Sequence, residues 1–168
     1  MCIRDRAKCL SAYGRTDSRM TYWSDYVGWN YAMPNLPAAL AHSQIKRLDE
    51  LVNKKRSIYK WYSEGLQKVS QVSLIQELNF TKATYCYPGL MLNEKVKISK
   101  DDFIAKLNSK NIDIRTAQPR MSQMPMFNSN IVNLNAKAVE ERGVILPSAF
   151  NLEKSDIDFV CEEIIKII

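Results

Sequence analysis

An apolar stripe that keeps helical spacing for about 30 residues constrains this chain more than any other feature. It starts behind Asn35, a good N-cap residue, and Pro37, which falls in the first turn where a missing N–H costs nothing. Ala41, Ile45, Leu48 and Val52 recur at intervals of three and four, and Tyr59, Tyr62, Leu66 and Val69 continue the series, with Gly65 near its end. The spacing predicts a long connecting helix over residues 35–70, as one helix or two abutting ones, with Lys54-Lys55-Arg56 on its exposed outer face. A helix of that reach spans between subdomains, so the remaining chain has to be organised around its ends.

Past the helix the period changes. Residues 71–75 (QVSLI) and 83–92 (ATYCYPGLML) have strand composition, the second broken by Pro88-Gly89. Ser99 caps a short amphipathic helix carrying Phe103, Ile104 and Leu107, and residues 112–115 come next as a short strand. A loop rich in Met, Pro and Asn runs from Gln118 to Asn133, then a helix around residues 136–141 and an extended stretch over 144–146 that ends at Pro147. The last helix is expected from Ser155 as cap, with Asp156 and Asp158 matched to the helix dipole and Ile157, Val160, Ile164 and Ile165 inward. Residues 71–168 thus read as a small α+β domain, an antiparallel sheet flanked by helices and hung on the long helix.

Upstream, residues 1–6 (MCIRDR) carry no periodicity and are expected to be a leader foreign to the rest of the chain. Residues 7–34 hold Tyr13, Tyr22, Trp23, Tyr26, Trp29 and Tyr31 among Gly14, Gly28 and Pro34, a loop with too many rings to be comfortably solvated. Either they pack under the chain's own core or they cover something else: a further domain, a second subunit or a ligand.

Bulk properties exclude several classes. With 168 residues, 46% hydrophobic and 25% charged, the chain supports one domain of ordinary globular composition. No apolar run approaches the ~20 residues of a membrane span, and no secretory signal is visible, so a cytoplasmic location is the expectation. The four cysteines (Cys2, Cys9, Cys86, Cys161) form no CxxC pair, and the single histidine, His42, has no partner at ligand spacing, so no metal site is expected. The net charge of +6 is not gathered into a stripe and does not predict nucleic-acid binding. No phosphate-binding glycine loop or nucleophile elbow is present, and the acidic pairs Asp49-Glu50 and Glu140-Glu141 read as solvated helix faces. From its residues alone the chain is an α+β domain with an aromatic segment; a non-catalytic module that docks a partner through that segment is one reading of it.

The run VGWNYAMPNLPAALAHSQIKRLDELVNKKRSIYKWYSEGL, from Val27, resembles the signature of the DegT–StrS family of sugar aminotransferases. Its counterparts here are Gly28, Trp29, Asn30, Tyr31, Met33, Ala38, Ala39, Gln44, Leu48, Asp49, Arg56 and Tyr62. AKCLSAYGR upstream, and NIDIR, MPMF and ILPSA downstream, are similar to the family in order, so the resemblance covers residues 7–168. It implies the C-terminal part, including the small domain, of a fold-type-I enzyme dependent on pyridoxal 5'-phosphate. Residues 7–34 would then close the large domain. Such an enzyme moves an amino group, from glutamate as expected donor, to a nucleotide-linked keto-deoxy sugar in surface-polysaccharide synthesis, as a homodimer. The lysine that tethers the cofactor is expected before residue 1, so no catalytic residue is assigned in this chain and it is expected to be inactive alone.

The resemblance implies that Asn30 reaches across the dimer interface to the cofactor phosphate, a task suited to a neutral amide donor. It further implies Trp29, Tyr31 and Arg115 as contacts to the sugar nucleotide. Two positions depart from the family pattern. Ala32 stands where many members have Arg, and Thr116 and Gln118 do not continue the pattern after Arg115.

Overall fold

In the computed structural model, which describes residues 2–16, 24–123 and 133–168, the chain opens with helix α1 (Ile3–Ser11). Residues 3–6, which show no periodicity in the sequence, form its first turn, where the Asp5 carboxylate accepts from the Cys2 N–H at 3.4 Å and from Arg4 at 2.8 Å. Two units divide between Leu48 and Asp49, within the segment predicted as the connecting helix.

In the first unit the chain leaves α1 through Tyr13 and Gly14, both left-handed (φ 61 and 70). A Cβ on Gly14 would lie 1.8 Å from the Tyr26 carbonyl oxygen, and one on Gly28 would lie 2.1 Å from the Gly14 nitrogen. Only glycines let these two stretches touch, and the contact sets the next residues beside α1. Ala12 and Asn30 form an isolated antiparallel bridge there. Helix α2 (Asn35–Ile45) comes next, with Pro34 rather than Asn35 at the N-cap and no side-chain cap. None of its residues is buried, and Leu36, Leu40 and Ile45 are 74%, 61% and 66% exposed. No member of the stripe Ala41, Ile45 and Leu48 is therefore buried among the described residues.

Helix α3 (Leu48–Leu66) begins after a two-residue turn, where Arg47 N–H bonds Gln44 O at 3.0 Å, so the segment is two helices. Its second half buries Tyr59, Tyr62 and Leu66, on the predicted stripe, and Ile58, which the stripe did not include. The sheet is antiparallel in the order β1-β2-β4-β3, built from β1 (Val72–Leu74), β2 (Gly89–Leu92), β3 (Arg115–Thr116) and β4 (Gly143–Ile145). Leu90 and Leu92 alternate onto its buried face and pair with Val144 and Val72. Helix α4 (Lys100–Asn108) is capped by Ser99, whose hydroxyl accepts from the Asp102 N–H at 3.1 Å, and buries Phe103 and Leu107. Helices α5 (Leu134–Arg142) and α6 (Lys154–Ile167) complete the unit. Ile58, Tyr62, Leu90, Phe103, Leu107, Ile157 and Ile164 are wholly inaccessible at the centre of its core.

Four expectations shift. Residues 83–88 are not strand, because Tyr85 is left-handed (φ 50) and Pro88 is buried ahead of β2. The strand expected over 112–115 pairs only at Arg115–Thr116, since the Ile112 N–H is spent on the α4 end, bonding Leu107 O at 3.1 Å. The last helix is capped at Glu153, whose N–H is taken by the Asp156 carboxylate at 2.8 Å, not at Ser155. Ile165 is 46% exposed, and Cys161 takes the inward place. Of the loop Gln118–Asn133, Met121–Gln123 is a 3₁₀ turn; residues 124–132, with MPMF, and Tyr22 and Trp23 lie outside the described residues.

Candidate functional site

Trp29, Asn30 and Tyr31 are presented together by the first unit. Their backbone is laced to α1 by Trp29 N–H to Leu10 O (2.7 Å), Tyr13 N–H to Trp29 O (3.0 Å) and Tyr31 N–H to Ser11 O (2.9 Å). Side chains alternate along this extended stretch, so Trp29 and Tyr31 share a face and stack, centroids 6.1 Å apart and planes 5° from parallel. Asn30 is exposed, and among the described residues its carboxamide has no hydrogen-bond partner. Trp29 and Tyr31 are 52% and 75% exposed, as are Val27 and Met33 beside them at 87% and 65%. The segment is a rigid backbone carrying two rings and one free amide. Ala32 is exposed next to it.

Arg115 belongs to the second unit, where it lines a groove of about 560 Å³ with Lys55, Tyr87, Asp113 and Ser148. Its guanidinium meets the Asp113 carboxylate at 2.9 Å, a hydrogen bond that raises the Arg115 pKa. Lys55 Nζ donates to the Ser148 carbonyl and, at 3.1 Å, to Ser148 Oγ, while that hydroxyl donates to Cys86 O at 2.7 Å. Tyr62 Oη, from the core side, donates to Pro147 O at 3.0 Å. The groove wall is thereby tied to α3 by two side chains, Lys55 and Tyr62.

The basic run Lys54-Lys55-Arg56 is not a solvated outer face. Lys54 pairs with Glu153 at 3.1 Å and stands 5.3 Å from the Trp61 ring centre. Arg56 forks onto Glu77 (2.6 and 3.0 Å) and donates to Ala83 O at 2.6 Å. The three cations are adjacent in sequence, so α3 turns them about 100° apart, each toward a different neighbour. The Arg56 guanidinium and the Ala83 N–H bonding it hold the Glu77 carboxyl down at about 2. Tyr59 stacks on Tyr85 at 3.7 Å, and burial pushes its phenol up to about 12. This cluster closes the loop 77–85.

Arg115, singled out from the sequence, lines this groove, whereas Lys55, Tyr87, Asp113 and Ser148 beside it were not singled out. Those four come from separate elements, and the one local hint was Tyr87 standing before Pro88-Gly89. Among the described residues no three His, Cys, Asp or Glu side chains gather as a metal site would require.

A family model described as the DegT/DnrJ/EryC1/StrS aminotransferase family matches residues 2–165. A GDP-perosamine synthase of Vibrio cholerae is 26% identical over 144 residues, covering 83% of this chain and 39% of that protein. The aminotransferase TlmJ from Streptoalloteichus hindustanus superposes with a TM-score of 0.84 at 19% identity, over 95% of this chain and 43% of TlmJ. The E. coli GDP-4-keto-6-deoxy-D-mannose-3-dehydratase, solved with bound hydrated PLP, superposes with a TM-score of 0.79 at 14% identity, over 95% and 46%. The chain spans about two-fifths of the length of the curated relatives it matches.

Proposed function

Because the chain belongs to the DegT/DnrJ/EryC1/StrS aminotransferase family, we propose that the full-length protein is a pyridoxal-phosphate-dependent aminotransferase acting on a nucleotide-linked keto-deoxy sugar. Glutamate is the amino donor, the product feeds surface-polysaccharide synthesis, and the enzyme works as a homodimer in the cytoplasm. The scaffold alone does not choose the reaction, since it is shared with a dehydratase. The choice of amino transfer rests on the family and on relatives such as the perosamine synthase.

The observation that carries the reading is the Trp29-Asn30-Tyr31 segment: rigid in backbone, exposed in side chain, with an unused amide between two rings. When bound, pyridoxal phosphate supplies the electron sink that lets an amino group change carriers. Asn30 is the residue of this chain that fits the cofactor, a neutral donor to a phosphate oxygen, offered to the second subunit. Trp29, Tyr31 and Arg115 contact the sugar nucleotide, the rings by flat apolar contact and the guanidinium by charge.

The test is cofactor retention by the purified full-length protein. Wild type should hold pyridoxal phosphate through gel filtration, read by its absorbance, and Asn30→Ala should weaken retention about ten- to a hundred-fold, the worth of one hydrogen bond to a charged group. A protein with no pyridoxal absorbance when supplied with the cofactor overturns the class. Unchanged retention in Asn30→Ala removes the assigned residue.

A further inference from the structure

The last carbonyls of a helix have no partner inside it, and at the end of α1 the stretch around Asn30 supplies that partner. Leu10 O takes the Trp29 N–H at 2.7 Å, and Ser11 O takes those of Tyr31 and Ala32 at 2.9 and 3.1 Å. The Tyr13 N–H returns a bond to Trp29 O at 3.0 Å. All four bonds belong to the neighbours of Asn30, on either side of its bridge to Ala12. They fix where its Cα stands and use none of its own polar groups.

Three residues in this frame stand at the limit of what a backbone accepts. Tyr13, a non-glycine, is left-handed (φ 61), as is Gly14 (φ 70). Gly14 spends its N–H on Cys9 O at 2.9 Å, and its nitrogen is the atom that a Cβ on Gly28 would strike, at 2.1 Å. Gly28 is thus seated where no side chain fits, two residues before Asn30. Bonds on both sides of Tyr13 hold its strained backbone in place, and strain held in this way gathers at functional sites.

We propose that Gly28 is a positioning residue for the cofactor contact: its close approach to Gly14 sets the Asn30 amide at bonding distance from a phosphate oxygen. The inference rests on the reading of Asn30 given above and adds the residue that aims it. A Cβ at 2.1 Å from a backbone nitrogen has to retreat by more than about 1 Å to reach an ordinary contact. Asn30, two residues on, moves with it. A hydrogen bond of about 2.9 Å lengthened by that much is no longer one.

The test is a double-mutant cycle on cofactor retention by the full-length protein, with Gly28→Ala, Asn30→Ala and the two combined. Gly28→Ala should weaken retention about tenfold or more, as loss of the Asn30 bond does. In the Asn30→Ala background it should weaken retention no further, whereas a general structural defect adds its cost in either background. Amide hydrogen exchange of the apoprotein gives a readout that needs no cofactor. The Trp29 and Tyr31 amides should be protected in the wild type and exchange about tenfold faster in Gly28→Ala. If those wild-type amides exchange as freely as unbonded ones, the proposal is overturned, even where the variant fails to fold. Unchanged retention in Gly28→Ala, additive costs or unchanged exchange overturns it too, and an Asn30→Ala defect in the same series leaves the cofactor reading standing. Unchanged retention in Asn30→Ala overturns that reading and the positioning role with it.

Discussion

Replacing Tyr62 with Phe deletes one atom from the centre of the second unit. The ring stays in a wholly inaccessible site, so no cavity opens, and the loss is the 3.0 Å hydrogen bond to the Pro147 carbonyl. Pro147 is half-buried and its carbonyl can be rehydrated, which sets the cost near the ordinary net value, about 1 kcal/mol. With a urea m-value of about 1.5 kcal/mol/M, the midpoint should fall by ~0.7 M at pH 7. Tyr62→Ala, which empties the site, should cost about 3–5 kcal/mol. The pH dependence sharpens the test. Burial raises the Tyr62 phenol above its usual 10.0, so the tyrosine's contribution is fully present below pH 10 and is lost as pH rises through the folded value. Above pH 10 the wild type loses about 1.4 kcal/mol per pH unit from this group, and Tyr62→Phe does not. The deficit of the variant should therefore close near pH 11. Urea melts monitored by circular dichroism at pH 7, 10 and 11 give all three numbers. A variant as stable as wild type at pH 7, or a gap that does not close with pH, refutes the burial argument.

The same kinds of contact make three further outcomes testable. Glu77→Gln removes a carboxylate held at about 2 against an ordinary 4.5, a stabilisation present above pH 4.5 and lost as pH falls toward 2. Acid titration of stability should be shallower in the variant across that window, and parallel curves would count against the Arg56 clamp. Gly65→Ala would put a Cβ 2.7 Å from Cys161 Sγ, so it should cost about 1–3 kcal/mol in thermal melts. In a Cys161→Ala background the cost should shrink, since only the Cβ of residue 161, at 3.1 Å, stays close, and additive costs would show that the Sγ clash is not the cause. Helix α2, with Leu36, Leu40 and Ile45 exposed, should drive self-association and hydrophobic-dye binding of the chain. Leu36→Lys with Leu40→Lys should reduce both in sedimentation and fluorescence; a wild-type monomer that binds no dye contradicts the expectation.

Legibility in the sequence tracks the range of the interactions. Ser99 with Asp102 is a cap written within four residues, and Phe103 and Leu107 one turn apart are both buried. Ile157, Val160 and Ile164 sit inward on α6 for the same reason. Residues 83–88 mislead because strand composition is local, whereas the Tyr85 backbone is set at long range by its stacking on Tyr59 and by its Oη, which accepts the Glu77 N–H at 3.1 Å. The charge on Lys54-Lys55-Arg56 misleads likewise. A basic run looks solvated until Glu153, Ser148 and Glu77 are brought to it from 99, 93 and 21 residues away.

The two candidate sites divide along the same line. Trp29, Asn30 and Tyr31 are neighbours in sequence, and strand alternation alone puts the rings on one side, so that group is readable without the fold. The groove is not, because Lys55, Tyr87, Arg115 and Ser148 come from four separated segments. Helix α2 makes a third case, in which the pattern is legible and the partner is absent. Its apolar residues, Leu36, Ala38, Ala39, Leu40, Ala41 and Ile45, lie on every side rather than along one stripe. The polar residues Asn35, His42, Ser43 and Gln44 are spread among them, and none of the helix is buried among the described residues. The exposed apolar side chains Leu36, Leu40 and Ile45 thus follow Trp29-Asn30-Tyr31 directly in sequence, beside the proposed cofactor contact.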